Sequence, residues 1–242
     1  MATIQNNVQL VRRRIAQACA AAGRDPSAVT LLCVSKTQAA EQVRAAVDAG
    51  EHRFGENYVQ EGLDKIAALA ELRARIEWHL IGPLQSNKTR AVAEHFDWVH
   101  GIDRLKIAER LSAQRPPGLP PLQVCLQVNV SGEASKSGVA PEALPALAAA
   151  VATLPRLRLR GLMAIPEPSR DPAAQRRPHR RLRELLAALP PLPGGPLDTL
   201  SMGMSDDLEA AVAEGATIVR IGTAVFGARS AAGAGAGGGA VG

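Results

Sequence analysis

The sequence predicts a closed (β/α)8 TIM barrel with one extra helix at its N-terminus, and three observations predict it. Short apolar runs alternate with amphipathic runs along the chain, eight of each when the leading helix is counted. Strands that alternate with helices need crossover connections, and so a parallel sheet. Polar residues and glycines gather just after the strand segments, the end at which barrels of this kind carry their sites. Finally, 242 residues suit a single barrel domain. A doubly wound open sheet is the competing architecture.

Ile4, Val8, Val11 and Ile15 recur at helical spacing, so the chain opens on a helix, which "AAGRDP" stops. Strands are predicted at 29–34 (VTLLCV), 51–54 (EHRF), 76–81 (IEWHLI) and 96–99 (FDWV). Four more are predicted at 122–128 (LQVCLQV), 158–163 (RLRGLM), 197–201 (LDTLS) and 217–221 (TIVRI). Helices fall between them, at 39–48, 57–72, 86–94, 103–114, 141–153, 173–188 and 206–213. The breaker-rich "PRLRLR" and "LPPLPGGPLD" are connections inside one domain, residues 1–229. The last stretch, 230–242, is low-complexity Gly and Ala. It cannot bury enough surface to offset its ordering entropy and is read as a disordered tail.

Composition narrows the functions. Apolar residues make up 46% of the chain, enough for a sizeable core, but aromatics are only 2%. The core is therefore aliphatic, and the platforms on which a single-strand nucleic-acid binder stacks bases are missing. The net charge is +5, with the arginines scattered except for "RDPAAQRRPHRRLRE" at 170–184. That cluster reads as a solvated helix face rather than an anion-binding patch, and no nucleic-acid partner is expected. Cys19, Cys33 and Cys125 lie far apart in apolar settings, without metal-ligand spacing. They read as buried thiols in a reducing compartment. The N-terminus lacks a signal peptide's apolar segment, and no apolar run reaches membrane-spanning length. A cytoplasmic protein with no membrane partner is expected. With no long exposed apolar seam in the sequence, it is expected to be a monomer.

The candidate chemistry lies in the segments just past the strands. The apolar "LLCVS" runs straight into Lys36. A desolvated lysine loses preference for its charged form, so its amine becomes a nucleophile. Of the five lysines, Lys65 and Lys106 sit on helix-like segments and read as solvated. The segments "SMGMSDD" and "IGTAVFG" look like a phosphate cradle, because loops after the last two strands of a barrel often bind phosphate. The first offers Ser201 and Gly203, then Ser205 or Asp206 as a helix cap, and the second Gly222 and Thr223. Glycines let backbone N–H groups approach an anion, and hydroxyls add donors. A nucleophilic lysine beside a phosphate cradle suits pyridoxal 5′-phosphate (PLP). It equally suits an aldolase-type imine with a phosphorylated sugar, or a lysine snorkelling at the rim. Arg220, two residues before Gly222, is either a donor to a cofactor's ring nitrogen or a structural partner of a carboxylate.

The segments "VSKTQ", "FGENYVQE", "WHLIGPLQSNK", "VNVSGEASKSG", "GLMAIP" and "LSMGMSDDLEAAVAEGATIVRIGTAVFG" closely resemble the YggS/PROSC family of pyridoxal phosphate homeostasis proteins. In order and spacing they cover residues 34–227. The resemblance implies a barrel like the N-terminal domain of alanine racemase, with PLP held as a covalent imine on Lys36. It places Ser201, Gly222 and Thr223 at the phosphate, Arg220 at the pyridine nitrogen and Asn57 near the ring. Met163 and His79 are implied more weakly, on neighbouring strand ends. Two positions depart from the family pattern: Leu80, where a bulkier side chain is usual, and His179, where an aromatic is expected.

The implied role is to bind, buffer or deliver PLP inside the cell, and so to influence amino-acid and keto-acid metabolism without turnover. Apo PLP-dependent enzymes would be the acceptors. The alternative is a fold-type III, racemase-like PLP enzyme. Alanine racemase uses a second, β-rich domain that supplies a catalytic tyrosine, whereas here Tyr58 is the sole tyrosine. Proton transfer at an α-carbon wants a positioned group on each face, and only the lysine is an obvious one.

Overall fold

The first apolar run is buried on both of its faces. In the computed structural model, which describes residues 3–131 and 137–227, it forms β1 (Thr30–Val34). Leu31 and Cys33 point outward into an aliphatic layer beneath the helices, and Leu32 and Val34 point into the barrel lumen. That two-sided burial is why the strand reads as a continuous apolar run, not an alternating one.

Seven more strands complete the sheet: β2 (Arg53–Glu56), β3 (Glu77–Leu80), β4 (Trp98–Ile102), β5 (Leu122–Gln127), β6 (Leu157–Met163), β7 (Thr199–Ser201) and β8 (Ile218–Ile221). Each pairs in parallel with its neighbour in sequence order, and β8 returns to β1 with Thr30 opposite Ile218. The sheet is therefore a closed barrel, and the open-sheet alternative is excluded. The helices are α1 (Ile4–Ala21), α2 (Ala40–Asp48), α3 (Val59–Ala68), α4 (Thr89–His95) and α5 (Leu105–Gln114). They continue with α6 (Leu144–Ala152), α7 (Pro172–Ala188), α8 (Leu208–Ala213) and a single turn, α9 (Thr223–Phe226).

Boundaries shift where polar residues are buried at strand ends. The fourth strand, expected to end at 99, runs on through His100 and Gly101 to Ile102. The second, expected to end at 54, continues to Glu56, which is fully buried. Polarity masks both extensions, because a buried polar side chain, His100 in the lumen or Glu56 against Lys65 of α3, looks like a loop residue. The helix expected over 57–72 ends at Ala68, where Leu69 leaves helical geometry, and a 3-10 segment, Ala70–Arg75, completes the connection. Residues 132–136, within "VNVSGEASKSG", and the Gly/Ala stretch at 230–242 lie outside the described residues.

The extra helix is built into the barrel. Thr3 caps α1 through a bond from the Asn6 N–H, and Val8, Val11, Ile15, Ala18 and Cys19 form its buried face. Its polar side chains, with Arg24 just beyond its end, reach the last elements of the chain. Asn7 donates to Val225 O at 2.9 Å, Arg14 to Ser205 O at 2.7 Å, and Arg24 to Val212 O and Ala216 O at 2.7 and 2.8 Å.

The arginine cluster also has a structural use. Arg176, Arg180 and Arg183 on α7 converge on Glu214, which is 1% exposed. The three cysteines are buried and unpaired, as expected, and burial pushes the Cys125 thiol up to about 12. Among the described residues no helix is long and apolar enough to cross a membrane, and no cluster of side chains suits a metal ion.

Candidate functional site

Lys36 stands just beyond the end of β1, half-buried, in a turn whose next residue, Thr37, has φ +62°. A side chain with φ in that region is strained unless its surroundings hold it. Here they do. Lys65 on α3 is buried, not solvated as its helical setting suggested, and its Nζ donates to Ser35 O at 2.5 Å. The same ammonium donates to Glu56 Oε1 at 2.8 Å and to Glu61 Oε1 at 2.7 Å. Glu61 in turn accepts the Thr37 N–H, and Glu56 accepts from Ser35 Oγ at 2.6 Å. The backbone on both sides of Lys36 is thus gripped by one buried ion cluster. Burial raises the Glu56 carboxyl, and Lys65 and Ser35 act against that rise.

A cavity of about 350 Å3 opens at this end of the barrel. That is within the range of small-ligand sites, roughly 300–1,000 Å3. Its polar lining includes Lys36, Asn57, Ser205, Asp206 and Arg220, with Gly222 and Thr223 beside them; Val34, Ile81, Ile165 and Met204 supply the apolar part. Of the residues singled out from the sequence, Lys36, Asn57, Arg220, Gly222 and Thr223 meet on this one wall. Ser201, Met163 and His79 do not line it. All three are fully buried, with Met163 in the apolar filling of the lumen.

Close backbone approaches shape the cavity. A Cβ on Gly222 would lie 3.2 Å from Val34 O, and one on Gly82 only 2.0 Å from Asn57 O, so glycine is what lets these segments meet. Gly222 precedes the single turn α9, whose first amides have no partner within the helix. The loop bearing Ser205 and Asp206 is held from behind. Asp207 Oδ1 accepts the Met204 N–H at 2.6 Å, while Oδ2 pairs with His179 Nε2 at 2.8 Å. Burial opposes the charge on Asp207, but the His179 bond and the Met204 amide outweigh it and lower the carboxyl. The departure at His179 therefore has a use as a polar brace under this loop, whereas Leu80 packs in the aliphatic layer.

Two features of the wall call for a ligand. Arg220 is 4% exposed and has no ion-pair partner among the described residues, so the carboxylate alternative is not met. Its Nη1 donates to Ser201 O at 2.6 Å and to Ser201 Oγ at 2.9 Å, and its Nη2 to Ala164 O at 2.8 Å. These bonds leave N–H groups of the fork unused. Burial pulls the guanidinium down to about 10, so it stays charged at neutral pH. Asn57 contributes a buried side-chain oxygen with no hydrogen-bond partner. A ring with an acceptor nitrogen and a hydroxyl substituent, carried with an anionic tail and fixed to the lysine, would give the arginine an acceptor and the Asn57 oxygen a donor. The lining fits PLP on these grounds.

Sequence reasoning missed the supports of this wall. Lys65 and Glu61 are spaced i,i+4 and look like a surface pair. Glu77 and His100, which reach Arg220 through the lumen, gave no signal.

Comparison with known proteins gives a consistent picture. A family model described as alanine racemase, N-terminal domain, matches residues 1–230. The pyridoxal phosphate homeostasis protein of Pseudomonas aeruginosa is 67% identical over 229 residues, covering 95% of this chain and 97% of that protein. The protein of the same name from Escherichia coli is 56% identical over 230 residues, covering 95% and 98%. Among solved structures, PipY of Synechococcus elongatus with PLP bound matches with a TM-score of 0.75 at 38% identity, over 88% of this chain and 100% of that one. Alanine racemase from Corynebacterium glutamicum shares the fold, with a TM-score of 0.67 at 17% identity. The match covers 95% of this chain but 62% of the racemase.

Proposed function

This chain belongs to the alanine racemase N-terminal-domain family, among its pyridoxal phosphate homeostasis proteins, and from that premise we propose that it binds PLP on Lys36 and serves the cell's handling of the cofactor. The observation that carries the reading is one cavity shared by a lysine amine and a buried arginine that pairs with no carboxylate among the described residues. When bound, PLP supplies an aldehyde that a lysine amine condenses with, and a ring that draws electrons.

The residues divide the work. Lys36 supplies the attaching nitrogen, and the Lys65 cluster fixes the backbone that carries it. Ser205, Gly222 and Thr223 face the phosphate. Ser201 leaves that role, because its hydroxyl is engaged inside the lumen. Arg220 offers N–H groups to the ring nitrogen and, because it stays charged, hands over no proton. That keeps the ring a weak electron sink, which favours holding the cofactor over reacting with it. Asn57 faces the ring's oxygen substituent. Besides Lys36 and Arg220, Asp206 is the titratable group on the described lining, so the racemase-like reading would have to place its second acid–base role there. We take the protein to be a carrier and buffer that acts as a monomer in the cytoplasm and passes PLP to apo-enzymes.

Borohydride reduction tests the attachment. The purified protein should be yellow and should yield a reduced PLP adduct mapping to Lys36; an adduct that survives in Lys36→Ala would refute it. Exchange of an amino acid's α-proton with solvent, at a rate above that of free PLP, would favour the racemase-like enzyme. Delivery is tested by mixing the loaded protein with an apo-enzyme and a trap for free PLP. Reactivation despite the trap supports hand-over, and its loss leaves storage alone.

A further inference from the structure

Four polar side chains thread the lumen behind the cavity. His79 Nε2 lies 2.9 Å from Glu77 Oε1, His79 Nδ1 lies 2.9 Å from His100 Nε2, and His100 Nδ1 lies 2.8 Å from Ser201 Oγ. Ser201 Oγ then accepts from Arg220 Nη1 at 2.9 Å. The chain thus runs from the first residue of β3, at the opposite mouth of the barrel, to the guanidinium on the cavity wall.

Its direction is fixed by its ends. An ionised carboxylate only accepts and a guanidinium only donates. With both imidazoles neutral, one arrangement satisfies every bond. Arg220 donates to Ser201, Ser201 to His100, His100 to His79, and His79 to Glu77. Burial keeps both histidines neutral, lowering His79 against the pull of Glu77 and lowering His100 further with the charge of Arg220. The surroundings hold that state. Glu77 is also paired with Arg53 at 3.1 Å, and Trp98 stacks on His79 at 5.2 Å. Arg160 lies over the Trp98 ring and is bound to Asp198. Near the other end, Asp207 is occupied by His179, and Cys125 stays a thiol.

We propose that Glu77, His79, His100 and Ser201 form a one-way hydrogen-bond relay that positions Arg220 as a donor to the bound cofactor's ring nitrogen, so that the far mouth of the barrel governs how firmly PLP is held. The proposal rests on the PLP reading above. The four are positioning residues: none lines the PLP cavity, and each acts through Arg220. Breaking the relay leaves the guanidinium held by the Ser201 and Ala164 carbonyls alone, which loosens its aim at the ring nitrogen and lets water compete there.

The test uses the full chain loaded with PLP labelled with nitrogen-15 in its ring. The ring-nitrogen NMR shift is tracked against pH, and PLP affinity is measured by equilibrium dialysis. Native protein should show an unprotonated ring nitrogen that does not titrate across the neutral range. In Ser201→Ala and His100→Leu it should begin to titrate, with affinity lowered about threefold to tenfold, the size expected for one buried hydrogen bond. Glu77→Gln keeps an acceptor but not the charge that fixes direction, and should show a smaller change of the same sign. If His100→Leu does not fold, Ser201→Ala, which removes one oxygen, decides. Folded variants that keep native shift and affinity would overturn the relay. Failure of the native protein to yield a borohydride-trapped adduct would instead sink the PLP reading itself.

Discussion

The barrel has two interiors, and they are built on opposite rules. The layer between strands and helices is apolar and mostly aliphatic, from Val8 on α1 to Val225 on α9, with Phe54, Trp78 and Phe96 among its members. The lumen holds only seven buried apolar residues in its cluster, Leu32, Val34, Ile81, Trp98, Cys125, Met163 and Ile218. Glu77, His79, His100, Ser201 and Arg220 share that space with them. The outer layer gains stability by removing apolar surface from water, about 1.5–3 kcal/mol for each fully buried large aliphatic side chain. The lumen forgoes part of that gain to keep a polar chain satisfied behind the cavity. The contrast teaches that apolar stabilisation and the positioning of Arg220 are assigned to different faces of the same strands, with the Glu56–Lys65 pair behind Lys36 as a polar exception on the helix side.

Substitutions can break that division, beginning with the largest effect. Leu111→Ala, at a fully buried site of the outer layer, should cost about 2–5 kcal/mol in denaturant unfolding. It should leave the absorbance of bound PLP per folded molecule unchanged. A spectral change as large as that of a lumen variant would end the distinction. Next comes Glu214→Gln, which removes the charge shared by three arginines that are themselves half-exposed. A loss of about 1–2 kcal/mol is expected, again without effect on PLP.

The smallest effect at neutral pH sharpens the comparison through acid. Burial opposes ionisation of Glu77, but the His79 bond and the charge of Arg53 prevail, and its carboxyl falls from 4.5 to about 2. A folded value below the unfolded one means that the stabilisation is complete above about 4.5 and disappears as pH falls to about 2. The stability difference between native protein and Glu77→Gln should therefore be constant at neutral pH and shrink on acidification. The neutral histidines act in the same sense but earlier, because their folded values lie below 6.5. Unfolding measured against pH should show stability starting to decline below that value, and a difference growing toward low pH would contradict the assigned charge states.

The same division explains what the sequence revealed. Strands buried on both faces by aliphatic residues, such as "TLLCV", are plain as apolar runs. Lys36, Arg220, Gly222 and Thr223 stand out because charge or glycine interrupts such a run. The lumen chain is illegible for the converse reason. His79 and His100 come from different strands, and a polar residue in a strand reads as solvent-facing until closure of the sheet makes the other side an interior. Lys65 misleads likewise. Its spacing from Glu61 is that of an exposed helical pair, and only the approach of Ser35 and Glu56 buries it. Ser205 reads in sequence only as a helix cap, whereas Arg14 of the first helix holds its carbonyl and its side of the loop faces the cavity.

The seam between β1 and β8 bears on how the chain is made. Thr30 must find Ile218, and Asn7 must find Val225, 218 positions later. Until the last strand leaves the ribosome, β1 has an open edge and Asn7 of α1 lacks its acceptor on Val225, so the nascent barrel carries an unpaired strand able to join a neighbour's. Such distant pairings are slow to form. The earlier strands can assemble in the order of synthesis, but the lumen becomes an interior only when the ring closes. The candidate site, which draws Val34 from β1 and Arg220 from β8, is therefore among the last parts of the molecule to exist.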